Sequence, residues 1–146
     1  MPDVVLLAQI ASTGVLTGLI WTIQIVHYPL FAAVGDAEFV SYQQQHSKRI
    51  TIVVGPLMLV EAATAVLLVG LRPTSVPEWI PWAGLAMVIV IWLSTALVQI
   101  PCHTRLAAGF DPEIHQRLVR SNWIRTIAWT ARMFILLVAG WLVFGG

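Results

Sequence analysis

Residues 79–101 read WIPWAGLAMVIVIWLSTALVQIP, an apolar run without a single Asp, Glu, Lys or Arg. A bilayer core about 30 Å thick asks for about 20 such residues in an α-helix, so this segment reads as a membrane span. Working outward, three more runs meet the same test, at residues 4–31, 50–71 and 124–144. Apart from Arg125 at the edge of the last run, the four together hold two charged side chains, Glu61 and Arg132. The whole chain agrees: of 146 residues 58% are hydrophobic and 10% charged, with mean hydropathy +0.83, against about 25% charged in soluble domains. This excludes a soluble enzyme, a disordered tail and a nucleic-acid binder. The fold expected is all-α, an integral-membrane four-helix bundle forming one domain over 1–146. The single Cys102 allows no intrachain disulfide and no Cys-x-x-Cys pair.

Short connections make neighbouring helices antiparallel, which puts both termini and the 72–78 loop on one side. Lys48, Arg49, Arg105, Arg117, Arg120 and Arg125 flank the other two loops, whereas the terminal side has only Arg72. The positive-inside rule makes those two loops cytoplasmic, in an inner membrane, with both termini outside the cytoplasm. The first run lacks a basic leader, carries Asp3 and is long for a signal core, so it reads as the first helix. Trp79, Trp82 and Trp141 fall at the outer boundary and Trp123 at the inner one; Trp21, Trp92 and Trp129 fall mid-span, as packing residues.

A shift of 75 residues aligns Gln24-Ile25 with Gln99-Ile100, Asp36 and Glu38 with Asp111 and Glu113, and Thr51-Ile52 with Thr126-Ile127. Eleven of the 47 positions from Gln24 to Gly70 are identical in this register. The weak internal repeat predicts two like-oriented helical hairpins. Asp111-Pro112-Glu113 has the form of an N-cap, a proline at the first helical position and an acid in the first turn. It predicts a short interfacial helix on the cytoplasmic side, which Asp36 to Gln43 imitates in the first hairpin, running on into the second span. Pro29 and Pro101 are expected to close the first and third spans, and Pro56 to kink the second.

Charges inside a span are costly, about 2.5 to 3.5 kcal/mol at midplane on insertion scales. Glu61 and Arg132 lie at similar depth, which predicts either a structural ion pair or a functional polar centre. All four histidines fall on the cytoplasmic side: His27, His46, His103 and His115. Gln24 and Gln99 stand one turn from His27 and His103, offering an amide and an imidazole on one face of each helix. Imidazoles converging from separate helices suit iron, copper or haem, with His27, His46 and His103 as metal ligands and Gln24 and Gln99 as cofactor-binding neighbours of His27 and His103. His115 is expected to be solvated.

The Gly35-Asp-Ala-Glu-Phe39 connector, Pro101-x-His103-x-x-Leu106, Asn122-Trp123 and Trp129-x-x-Arg132 together resemble small membrane proteins grouped with the anthrone oxygenases. The resemblance covers most of the chain. It implies a four-helix membrane bundle and, for some members, oxidation of polycyclic or aromatic substrates with molecular oxygen, with His103 and Arg132 as the positions that matter. The expectation is therefore a small redox or oxygenase-like membrane protein with Glu61, His103 and Arg132 in catalytic roles and a metal ion or haem at the histidines. Its partners would be the lipid bilayer, an apolar small-molecule substrate and a second copy or another membrane subunit. The alternative is a non-catalytic accessory or assembly subunit of a membrane complex.

Overall fold

The computed structural model describes residues 1–145, and no strand occurs among them. Four helices carry the chain: α1 (Pro2–Ala33), α2 (Asp36–Leu71), α3 (Trp79–Leu106) and α4 (Pro112–Phe144), each long and apolar enough to cross a membrane. The connections span residues 34–35, 72–78 and 107–111, and turns this short fold successive helices back on one another. Helix α1 packs on α2 and α4, and α3 on α4 and α2, closing a four-sided bundle in which α2 and α3 touch least. Val15, Ile52, Leu59, Leu97, Ile127 and Phe134 point outward and stay exposed. Such an apolar girdle fits lipid rather than water, so the chain is a multi-pass membrane protein.

Two expectations about local structure are corrected. The first connector runs on into the second span as expected, α2 being one helix of 36 residues, but the second connector forms no separate interfacial helix, since α4 is one helix of 33. Neither Gly nor Pro interrupts residues 36–54 or 113–139, so nothing stops a helix once it has begun at the connector. The start of α4 is as expected, with the Asp111 carboxylate accepting from the backbone N–H of Glu113 (2.9 Å) and of Ile114 (3.1 Å). Nor do Pro29 and Pro101 end their helices. Each follows by two residues a wide π-turn, Ile23–His27 or Thr95–Gln99, in which Tyr28 N–H reaches Ile23 O and Ile100 N–H reaches Thr95 O. A π-turn inserts one extra residue, so the helix accommodates the proline ring and continues.

The interior falls into two apolar clusters. One, near the termini, holds Leu6, Leu68, Val76, Ile80, Leu136 and Ala139. The other, toward the connectors, holds Leu16, Phe31, Phe39, Met58, Ile91 and Trp129 among others, with Cys102 buried in it. Between the clusters α1, α2 and α4 bury polar side chains, Gln9 and Thr13, Glu61 and Thr64, and Arg132, whereas α3 has none there. Of the three mid-span tryptophans only Trp129 is buried; Trp92 and Trp21 face outward, and Trp21 meets Trp123 edge-on with ring centroids 5.6 Å apart.

Candidate functional site

Hydrocarbon offers no partner to Glu, Arg, Thr or Gln, so such side chains inside a span must find each other. Glu61 on α2 does so completely. Its Oε1 accepts from Arg132 Nε at 3.0 Å and from Thr13 Oγ1 at 2.9 Å, and the Trp129 indole N–H bonds both carboxylate oxygens at 3.1 and 3.0 Å. Arg132 Nη1 donates in turn to the carbonyl of Gly84 on α3. Beside this, Thr64 donates to Gln9 Oε1 at 2.7 Å and Gln9 donates to Thr13 at 3.1 Å. The ion pair expected from matched depth is present, and it ties all four helices together.

A second centre lies nearer the connectors. Tyr28 on α1 and His103 on α3 share a hydrogen bond of 2.9 Å, and Gln43 Nε2 on α2 lies 2.7 Å from the other His103 nitrogen, Nδ1. His27 Nε2 and His46 Nδ1 meet at 2.8 Å. The His46 ring stands 5.4 Å from that of His103, centroid to centroid. Phe31, fully buried, packs edge-on against His46 and His103. Arg125 on α4 donates to Tyr28 Oη at 3.4 Å, to Thr95 Oγ1 at 3.3 Å and to Asn122 Oδ1 at 3.0 Å. It is 6% exposed. Among the described residues the one ion pair is Glu61–Arg132, so the Arg125 charge meets only neutral oxygens.

This second centre forms one end of a cavity of about 300 Å³. Its walls are mainly apolar, with Leu16, Ile20, Val54, Met58 and Ile100 among them, and its polar end is made by Tyr28, Thr95, Gln99, His103 and Arg125. The rim residues Thr51 on α2 and Trp92 and Ile100 on α3 are exposed, so the cavity opens between the two helices that touch least. Trp129 stands between the centres, its N–H on Glu61 and its ring face 5.9 Å from the Arg125 guanidinium carbon.

The expected single centre is thus divided. Glu61 and Arg132 come together, and His27, His46 and His103 come together, but the two groups do not meet. The expected metal site is not formed: among the described residues no three of His, Cys, Asp and Glu are arranged to hold an ion. Both His103 nitrogens already face protein partners, and His27 and His46 bond each other. A haem would likewise find no free His103 nitrogen at the cavity. Gln24 and Gln99 do not hydrogen-bond the imidazoles: Gln24 accepts from Asn122 at 2.8 Å and donates to Val119 O at 3.2 Å, both on α4, and Gln99, which lines the cavity with His103, accepts from Ser94 on its own helix at 3.0 Å and donates to Ser121 on α4 at 3.2 Å. His115 is held at 2.8 Å on the Tyr28 carbonyl rather than solvated.

From sequence Tyr28 stands near the histidines as a residue that could donate a hydrogen bond, with no spacing to favour it over Tyr42, whereas Gln43 and Arg125 are missed as site residues. Arg125 carried a signal, since it stands on one helix face with Asn122 in otherwise apolar sequence, but it was absorbed by the count of basic residues near the loop. Compared with family models, curated proteins and solved structures, the chain finds no match.

Proposed function

We propose that the protein is a small oxygenase-like membrane protein that takes an apolar, ring-bearing substrate sideways from the bilayer into the α2–α3 cavity. The observation that carries this reading is the polar end of that cavity. An apolar chamber ending on a phenol and an unneutralised guanidinium suits a flat hydrocarbon skeleton bearing one carbonyl or acidic hydroxyl oxygen. Negative charge gathering on that oxygen is what Arg125 is placed to stabilise. The resemblance to the anthrone oxygenases points the same way: such a substrate, anthrone for instance, consumes one molecule of oxygen and yields a quinone and water. The connector end is read as cytoplasmic and the membrane as an inner membrane, on the basic residues of the two loops.

Anthrone in proteoliposomes tests the reading. Trp92 and Trp129 line the cavity, so binding should quench tryptophan fluorescence saturably, and oxygen uptake should follow. Arg125→Met should abolish both. Quenching that merely rises linearly with probe, or that survives Arg125→Met unchanged, would end this reading. Single cysteines at the exposed positions Ser41, Gln116 and Ser75, in a Cys102→Ser background, check orientation. A membrane-impermeant thiol reagent on intact cells should label only the one at 75.

A further inference from the structure

The donors and acceptors around Tyr28 leave its hydroxyl proton one direction to go. An amide nitrogen can only donate, so Gln43 Nε2 donates to His103 Nδ1 at 2.7 Å and the neutral ring carries its proton on Nε2. That Nε2–H then donates to the Tyr28 oxygen at 2.9 Å, the same oxygen that accepts from Arg125 at 3.4 Å. With both acceptor positions of the phenol taken, its own O–H has no remaining protein acceptor among the described residues. The buried ring lines the cavity.

The other end of the Gln43 amide shares its helix face with unpaired polar atoms one turn further along α2. Gln43 is fully buried, and its Oε1 has no protein partner; nor do His46 Nε2 and Ser47 Oγ. The three residues stand at i, i+3 and i+4, on one helix face. If His27, which lines an open groove with Tyr42 and Arg49, donates to His46 Nδ1, the His46 ring proton sits on Nε2. That nitrogen is then a donor on the same helix face as the Gln43 carbonyl oxygen, and a water shared with the Ser47 hydroxyl would join the three.

We propose that Gln43 is a positioning residue that fixes the His103 tautomer and so makes Tyr28 a hydrogen-bond donor into the cavity, selecting ligands whose polar atom is an acceptor oxygen such as a ketone. The hydrogen bonds run one way, from Gln43 to His103 and on to Tyr28, and successive links polarise one another. The ligand part of this proposal rests on the cavity binding apolar ring compounds; the tautomer part does not.

Nitrogen NMR of histidine-labelled protein in lipid reads the tautomer directly. Wild type should show His103 protonated on Nε2 with Nδ1 bare, and Gln43→Met should release a mixture of both tautomers. Fluorenone and fluorene, the same skeleton with and without a ketone oxygen, then read the consequence. Wild type should bind the ketone roughly tenfold more tightly, the worth of one good hydrogen bond. The advantage should vanish in Tyr28→Phe and shrink in Gln43→Met. A wild-type ring protonated on Nδ1 overturns the proposal, and needs no variant to fold. So does a ketone advantage lost in Tyr28→Phe yet unchanged in Gln43→Met. If neither compound binds while the Gln43→Met tautomer change appears, the cavity reading fails and Gln43's control of the ring stands.

Discussion

Thr13, Trp129 and Arg132 all reach the Glu61 carboxylate, and Arg132, its counter-charge, turns a second N–H to a backbone carbonyl. At Tyr28 the arrangement is the reverse: a guanidinium without a carboxylate, a phenol with an unplaced proton and an apolar space in front of both. Both centres are buried and both draw on all four helices, so burial does not separate them. Neutralisation does. A charge met by a carboxylate serves as a cross-brace, whereas an unneutralised one beside a cavity is costly to maintain and suits binding.

The comparison is broken most forcefully at Arg132. Removing one partner of a buried pair strands a charge and costs about 3 to 5 kcal/mol, while removing both can be near neutral. Arg132→Met should therefore depress thermal unfolding in detergent severely, and adding Glu61→Gln should restore most of the loss, because Gln keeps an acceptor for Thr13 and Trp129. Additive losses would show that the two residues do not act as a pair.

Arg125→Met sharpens the contrast. No carboxylate is left stranded, only neutral oxygens that lose a donor, so the stability cost should be about 1 to 2 kcal/mol, offset by the removal of a desolvated charge. Unfolding should shift little in either direction while saturable ligand quenching disappears. A collapse as large as that of Arg132→Met would mean that Arg125 is also a brace.

The brace was legible in the sequence because charges in apolar runs are rare and their depths can be counted; Glu61 and Arg132 needed nothing more. The convergence of three histidines was legible for a similar reason, since each lies at or near the connector end of a different helix. Their chemistry was not. Whether an imidazole nitrogen is free depends on what stands opposite, and Gln43 and Tyr28 are residues whose positions near a boundary have ordinary explanations. The prolines misled in a definite way: Pro29 and Pro101 forbid a normal turn, and a π-turn relieves that constraint as well as a helix end does. Such a choice is made by packing on α2 and α4, which no local pattern records.

An effect on stability smaller than that of Arg132→Met is expected at Gly84. A Cβ built there would stand 3.0 Å from Arg132 Nη1, on the side from which the guanidinium reaches the Gly84 carbonyl. The Arg132 side chain is long and can withdraw by a few tenths of an ångström, so Gly84→Ala should cost about 1 to 3 kcal/mol, as overpacking does, rather than the full price of breaking the pair. Ligand binding at the other centre should be untouched. Quenching that weakened in parallel with unfolding would show that the brace and the cavity are coupled, with Trp129 the obvious link.

The smallest effect belongs to His115. Its ring bonds the Tyr28 carbonyl at 2.8 Å and packs beside Phe110, centroids 5.4 Å apart. That carbonyl lies immediately after the π-turn of α1, so the imidazole bonds to the backbone at the residue whose side chain enters the cavity. His115→Ala removes one partly exposed hydrogen bond, worth about 1 kcal/mol, and leaves the Tyr28 side chain with both of its neighbours. Unfolding should fall slightly and the preference for a ketone over its hydrocarbon should persist. If that preference were lost while stability held, the position of the phenol would depend on this backbone contact, and the binding centre would extend to the start of α4.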